Sequence, residues 1–129
     1  MAKKYGLSKA ERLKSVVRTE KLFTEGKSFW IFPFSVHFRF SGAEGCKFLV
    51  SVGKHYFRHA VDRNRVKRLV REAYRKNKEI LYAAAAEKGL YLDFAFVYKS
   101  RSFFSYAEVE ASVKEGLSVL AAKVRGAGL

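Results

Sequence analysis

Residues 60–89 read AVDRNRVKRLVREAYRKNKEILYAAAAEKG, and this stretch decides how the rest of the chain can fold. At about 100° per residue, Val66, Leu69, Val70, Ala73, Ile80 and Ala84 share one helical arc, with Tyr74 and Leu81 at its edge. Asn64, Lys67, Arg68, Arg71, Arg75 and Lys78 fall on a second arc, roughly opposite. The spacing predicts one long helix from about Asp62 to Lys88. Asp62 is expected as its N-cap, where a carboxylate meets free backbone amides and the positive end of the helix dipole. Gly89 is expected to stop it. A helix with one apolar stripe must bury that stripe against another layer.

The flanks supply the layer. Phe34, Val36, Phe38 and Phe40 alternate with Ser35, His37 and Arg39, the period of a half-buried strand. Cys46 to Gly53 reads as a second strand, and Leu92 to Lys99, with alternating Phe94, Phe96 and Tyr98, as another. Ser41–Gly45, with two glycines, reads as a hairpin turn between the first two. Phe29–Phe32 forms a short strand of its own, because Pro33 interrupts a ladder. A first helix is expected over Ser15–Glu25, closed by Gly26. Ser105-Tyr-Ala-Glu108 has the spacing of a capping box and opens a last helix with Val109, Val113, Leu117, Leu120 and Val124 on one face. Ser8-Lys-Ala-Glu11 has the same spacing. The order is α-β-β-β-α-β-α, an α+β sandwich of helices on a mostly antiparallel sheet. Residues 1–129 make one domain, with residues 1–14 as a basic, partly flexible tail.

Charge limits the function. The chain carries 26 Lys plus Arg against 12 Asp plus Glu, a net of +14. A small domain needs only about 2–8 charges for solubility, so the excess implies a polyanionic partner. Residues 54–78 hold ten of the cations and two acids, a net of +8. A solvated charged face normally mixes signs at i,i+4; here like charges such as Lys67 and Arg71 repel, which an anion would relieve. Arginine outnumbers lysine in the central segment, and its planar fork suits phosphate and bases. That favours nucleic acid over a membrane surface, which would need the apolar stripe left free. The longest apolar runs fall far short of the roughly 20 residues of a membrane span. The N-terminus has no apolar stretch of a signal peptide. One cysteine, Cys46, permits no internal disulfide and fits a reducing cytoplasm.

The segment Ala60–Arg75 resembles the signature of the bacterial ribonuclease P protein: an Arg-Asn-Arg (Arg63, Asn64, Arg65), a Lys-Arg pair (Lys67, Arg68) and a further Arg71. The strand FLVSVGKH before it is similar to the family's strand ending in Ser-Val-x-Lys, with Ser51, Val52 and Lys54 matching. The resemblance runs along nearly the whole chain. It implies the α-β-β-β-α-β-α fold shared with a domain of a small-subunit ribosomal protein, with a left-handed βαβ crossover. It implies a protein subunit of ribonuclease P, partnered with the catalytic RNA and with precursor tRNA, in which the RNA and its bound Mg²⁺ cut the phosphodiester that releases the 5′ leader. The RNA-binding residues would be Lys54, Arg58, Arg63, Asn64, Arg65, Lys67, Arg68, Arg71 and Arg75. A cleft between the first helix and the sheet would hold the single-stranded leader, at positions matching Phe23, Phe34, Val36 and Phe38. The His55–His59 loop is one residue longer than the family pattern, and Phe29–Phe34 is unusually aromatic.

No catalytic residues are expected in the protein itself. Cys46 has no second cysteine for a metal or redox pair, and His37, His55 and His59 lack ligand-like spacing. There is no Gly-Lys-Ser/Thr phosphate loop and no G-x-S-x-G. An aromatic strand face could stack bases of any sequence, but Phe at alternate strand positions is more often core, and the sequence does not say which face is open. A ribosomal or other structured-RNA-binding protein without a role in cleavage is the alternative. DNA recognition ranks last, since a stripe of cations positions a backbone without reading bases.

Overall fold

The computed structural model describes residues 11–41 and 45–127. Helix α1 (Val16–Glu25) starts where the Arg18 amide donates to Ser15 Oγ at 3.2 Å, and ends where the Gly26 amide donates to the Leu22 carbonyl at 3.1 Å. Gly26 is dictated by close approach: a Cβ there would lie 2.3 Å from the Leu22 carbonyl oxygen and 2.6 Å from that of Phe38. Strand β1 (Lys27–Ile31) turns at Phe32–Pro33 and pairs antiparallel with β2 (Phe34–Ser41). Then come β3 (Lys47–Val52), α2 (Ala60–Asn77), α3 (Glu79–Lys88), β4 (Tyr91–Tyr98) and α4 (Tyr106–Ala127). The sheet order is β1-β2-β4-β3, with β4 antiparallel to β2 and parallel to β3.

This arrangement corrects the hairpin reading of Ser41–Gly45. β2 and β3 are not neighbours; β4 lies between them. The physical reason is visible in β4, whose residues from Leu92 to Phe96 are all buried. A strand buried on both faces belongs in the middle of a sheet, and local turn chemistry cannot show that a later strand will insert.

The long helix is also corrected, into two segments. At the end of the first segment the Asn77 side chain donates to the Ala73 carbonyl at 2.8 Å and to Glu110 at 3.0 Å, a local bond that competes with continuation of the helix. At the junction the Leu81 amide donates to Lys78 O at 3.0 Å, a tightened turn. Asp62 is not the N-cap; that position is His59, and Asp62 sits in the first turn, where its charge still complements the dipole. Gly89 closes α3 in the left-handed region at φ 65°, as the sequence implies. The Ser105–Glu108 capping box forms with both bonds, 3.0 and 3.2 Å.

Residues 1–10 lie outside the described residues, so the Ser8 cap does too. Of the residues expected in the tail, 11–14 are described, and they pack on the fold. The Leu13 amide donates to Phe48 O at 2.9 Å beside β3, and the Leu13 side chain is buried. Glu11 pairs with Lys78 at 2.8 Å and accepts from the Tyr82 hydroxyl.

Strand parity divides the sheet. Phe34, Val36 and Phe38 of β2, Phe48, Val50 and Val52 of β3, and Phe94, Phe96 and Tyr98 of β4 face α2, α3 and α4 in one large core. Phe48 stacks on Tyr74 of α2 at 4.2 Å. The apolar residues expected on α4 (Val109, Val113, Leu117, Leu120 and Val124) are all buried. Gly116 of α4 sits so close to the sheet that a Cβ would lie 2.8 Å from the Phe96 ring, and that ring is itself fully buried. Gly116→Ala is therefore expected to destabilise the fold by about 1–3 kcal/mol through overpacking. A lowered urea midpoint at unchanged slope would register it. The opposite face carries a small cluster, Leu13, Leu22 and Ala95 with Leu49 and Val97, under α1 alone.

Candidate nucleic-acid interface

The apolar stripe of α2 is buried at Val66, Val70, Ala73 and Tyr74, which turns the opposite side outward. Lys54, Arg58, Asn64, Arg65 and Arg68 are exposed, and Arg63, Lys67, Arg71 and Arg75 are half-buried. Among the described residues no carboxylate pairs with Lys54, Arg58, Arg63, Arg65, Lys67, Arg68 or Arg71. Burial, and then repulsion from Arg12, lowers the pKa of Arg71. Arg12 reaches this neighbourhood because its backbone bridges to Phe48 at the edge of β3. Two guanidiniums that repel across an uncompensated surface favour an anion between them.

Not every cation of the stripe does the same work. Arg63 donates from one guanidinium nitrogen to the carbonyls of Phe57 and Arg58, both at 2.9 Å, so it braces the loop before α2. Arg65 lies 4.5 Å from the centre of the Phe103 ring, a cation–π contact that fixes its guanidinium. Arg75 is held by Glu72 at 3.0 Å, and Glu72 also meets Lys76 at 3.7 Å. The Arg75 bond draws the Glu72 pKa down, so the pair stays ionised. Lys78, placed by helical spacing on the cationic arc, is only 4% exposed and turns inward to Glu11. The pull of a carboxylate 67 residues earlier in the chain decides that orientation.

The leader positions need a larger correction. Phe34 and Val36 are 0% exposed and Phe38 is 4%, all beneath α4 and out of reach of any strand. In a β-strand the neighbouring residue points to the other face, so the residues facing the α1 groove are Ser35, His37 and Arg39. Phe23 alone of the four stands there, exposed, with its ring 4.9 Å from that of His37. Ser35 Oγ and His37 Nε2 are 3.0 Å apart. Burial, and then the Lys99 ammonium, lowers the His37 pKa, so the ring is neutral at pH 7. The groove thus offers an aromatic edge, a neutral imidazole and a hydroxyl, with a cation beside them. That mixture suits stacking and hydrogen bonding to an unpaired base near a phosphate.

α1 is pinned over this face by an ion pair whose carboxylate is fully buried. Arg18 Nε donates to Asp93 Oδ2 at 2.9 Å, and its terminal nitrogen donates to Asp93 Oδ1 and to Ser41 Oγ.

The ribonuclease P family profile matches residues 7–121. The ribonuclease P protein component of Porphyromonas gingivalis is 40% identical over 128 residues, covering 97% of this chain and 93% of that protein. The chain belongs to the ribonuclease P protein family. The family's protein component from Borrelia turicatae is 33% identical over 103 residues, 79% of this chain and 84% of that one. Among solved structures, the ribonuclease P protein of Staphylococcus aureus superposes with a TM-score of 0.71 at 23% identity, covering 90% of this chain and 98% of its own. That of Thermotoga maritima gives 0.70 at 24%, covering 84% and 96%. These two likenesses establish a shared ribonuclease P protein fold. No helix among the described residues is long and apolar enough to cross a membrane.

Within the ribonuclease P protein frame, the Arg-Asn-Arg and Lys-Arg motif lies together on α2, with Lys54 and Arg58 in the loop before it. Sequence reasoning missed Arg12, Lys99 and Phe103. No local pattern marks Arg12, which gains its place by adding to the edge of β3. Phe103 and Lys99 sit in and beside a loop whose course depends on the whole sheet.

Proposed function

We propose that this chain acts as the protein component of ribonuclease P in tRNA 5′ maturation, holding RNA on two surfaces. The cationic face of α2, with the Lys54–His59 loop and Arg12, takes the backbone of the catalytic RNA. The groove between α1 and the open sheet face takes the single-stranded 5′ leader of precursor tRNA, with Phe23, Ser35, His37 and Lys99 as its walls. Hydrolysis belongs to the RNA and to Mg²⁺ that the RNA holds; the protein positions the substrate and offsets phosphate repulsion. The cytoplasm, where tRNA is processed, is the expected compartment. The observation that carries this reading is the run of α2 cations from Arg63 to Arg71 that no described carboxylate neutralises, opposite a fully packed apolar stripe. The family relatives favour it over a ribosomal protein with no role in cleavage.

Reconstitution tests it. At low Mg²⁺, neither the protein nor the catalytic RNA alone is expected to cut precursor tRNA well, and together they should. The failure of added protein to rescue cleavage would leave the ribosomal reading in its place.

A further inference from the structure

The open face continues past the α1 groove. Trp30, the only tryptophan in the chain, lies opposite Ser35, the residue that contacts His37. Trp30 is 55% exposed and Phe32 57%. Their rings meet edge to face at 6.2 Å, and Phe32 meets Phe104 in the same way at 5.6 Å. Three rings therefore step from the open face, around the β1–β2 turn, to the loop before α4. Phe104 packs on the main core, whereas Trp30 and Phe32 belong to neither core cluster.

The turn that carries Phe32 is anchored by its backbone. The Phe32 carbonyl accepts from Ser112 Oγ of α4 at 3.0 Å, and the Pro33 carbonyl accepts from the Lys99 amide at 2.8 Å. Exposed aromatics on an edge strand normally invite pairing with another chain. Two copies each carrying a net +14 repel, however, and the same charge attracts a polyanion. A sequence-tolerant way for a cationic protein to use an exposed ring is to stack bases on it.

We propose that Trp30 and Phe32 form a second stacking platform, which carries single-stranded RNA from the Phe23–His37 groove outward across the β1 edge. This rests on the groove being the leader site, and it adds a chain-specific extension beyond it. Substrates with longer leaders gain from the platform; leaders too short to reach Trp30 do not.

Trp30 supplies its own probe, because intrinsic tryptophan fluorescence reports on this one residue. Full-length protein is titrated with an end-labelled eight-nucleotide oligouridylate, following label anisotropy and tryptophan emission together. The expected result is saturable quenching that tracks the anisotropy curve. Trp30→Ala should weaken binding about tenfold and Trp30→Phe much less, since one base–aromatic stack is worth about 1–3 kcal/mol. Both variants should melt close to the parent, because the ring is exposed. Binding without any change in emission, with Trp30→Ala unaltered and Phe23→Ala weakened, overturns the platform and leaves the groove standing. Unaltered binding in both Trp30→Ala and Phe23→Ala overturns the groove itself. Emission that shifts with protein concentration alone would assign the β1 edge to a second copy, and that too overturns the proposal.

Discussion

Arg18→Ala is expected to lose at least about 3 kcal/mol of folding stability. Asp93 is fully buried on β4, and both of its carboxylate oxygens accept from the Arg18 guanidinium. Removing one partner of a buried pair leaves an uncompensated charge, at a cost of about 3–5 kcal/mol. Arg18 is itself 29% exposed, so water reaches the site and the lower half of that range applies. Urea unfolding measures it directly. Arg18→Lys should recover part of the loss, since a point charge restores attraction without the two-pronged bond. Replacing both partners, Arg18→Met with Asp93→Leu, should come close to the parent, because no buried charge then remains. A loss below about 1 kcal/mol in Arg18→Ala would mean that the pair is not what seats α1. The functional corollary is that α1, once unseated, no longer walls the groove. A partly destabilised variant should therefore lose leader dependence while keeping its affinity for the catalytic RNA.

The Arg18–Asp93 pair also shows where the sequence stops being readable. Within single elements, spacing is enough: Val66, Val70 and Ala73 repeat with the helical period and are buried, and Ser105 and Glu108 cap α4 through bonds three residues apart. The alternation of β2 correctly separates Phe34, Val36 and Phe38 from Ser35, His37 and Arg39. It cannot say which set the heavier layer covers. That is settled by α4 packing on one side and by α1, pinned through a contact 75 residues apart, on the other. The three strand positions proposed for the leader turn out to be buried for this reason, since a one-residue shift exchanges the faces of a strand. Lys78 fails in the same way. Its helical angle is that of a solvent cation, but Glu11 and Tyr82 surround it with a buried polar set that no local window contains. Asp93 too is satisfied only from afar, by an arginine 75 residues earlier. The cationic face of α2 was legible because amphipathicity, charge and motif coincide on one helix. The groove was not, because it exists only between elements that meet in the folded sheet.

A triple variant, Lys67→Ala with Arg68→Ala and Arg71→Ala, separates phosphate binding from a merely basic surface. If about six cations of the α2 face meet phosphates, log K for the catalytic RNA should fall against log salt with a slope of about −4 to −5. Each lost phosphate contact removes about 0.7–0.9 from that slope, so the variant should show a slope shallower by about 2–3 and bind about a hundredfold more weakly near 0.15 M salt. Stability should hardly move. Arg68 is exposed, and the packing lost from the half-buried Lys67 and Arg71 stems is offset by relief of like-charge repulsion along the helix and from Arg12. Lys78→Ala is the opposite control: with the largely buried Glu11 deprived of its ammonium partner beside Tyr82, it should cost stability and leave the salt slope unchanged. Weakened binding of the triple variant at an unaltered slope would mean that these side chains meet something other than phosphate. Unfolding of the triple variant would make them structural. The combination of an intact fold and a shallower slope is specific to a helix whose apolar side is already spent on the sheet.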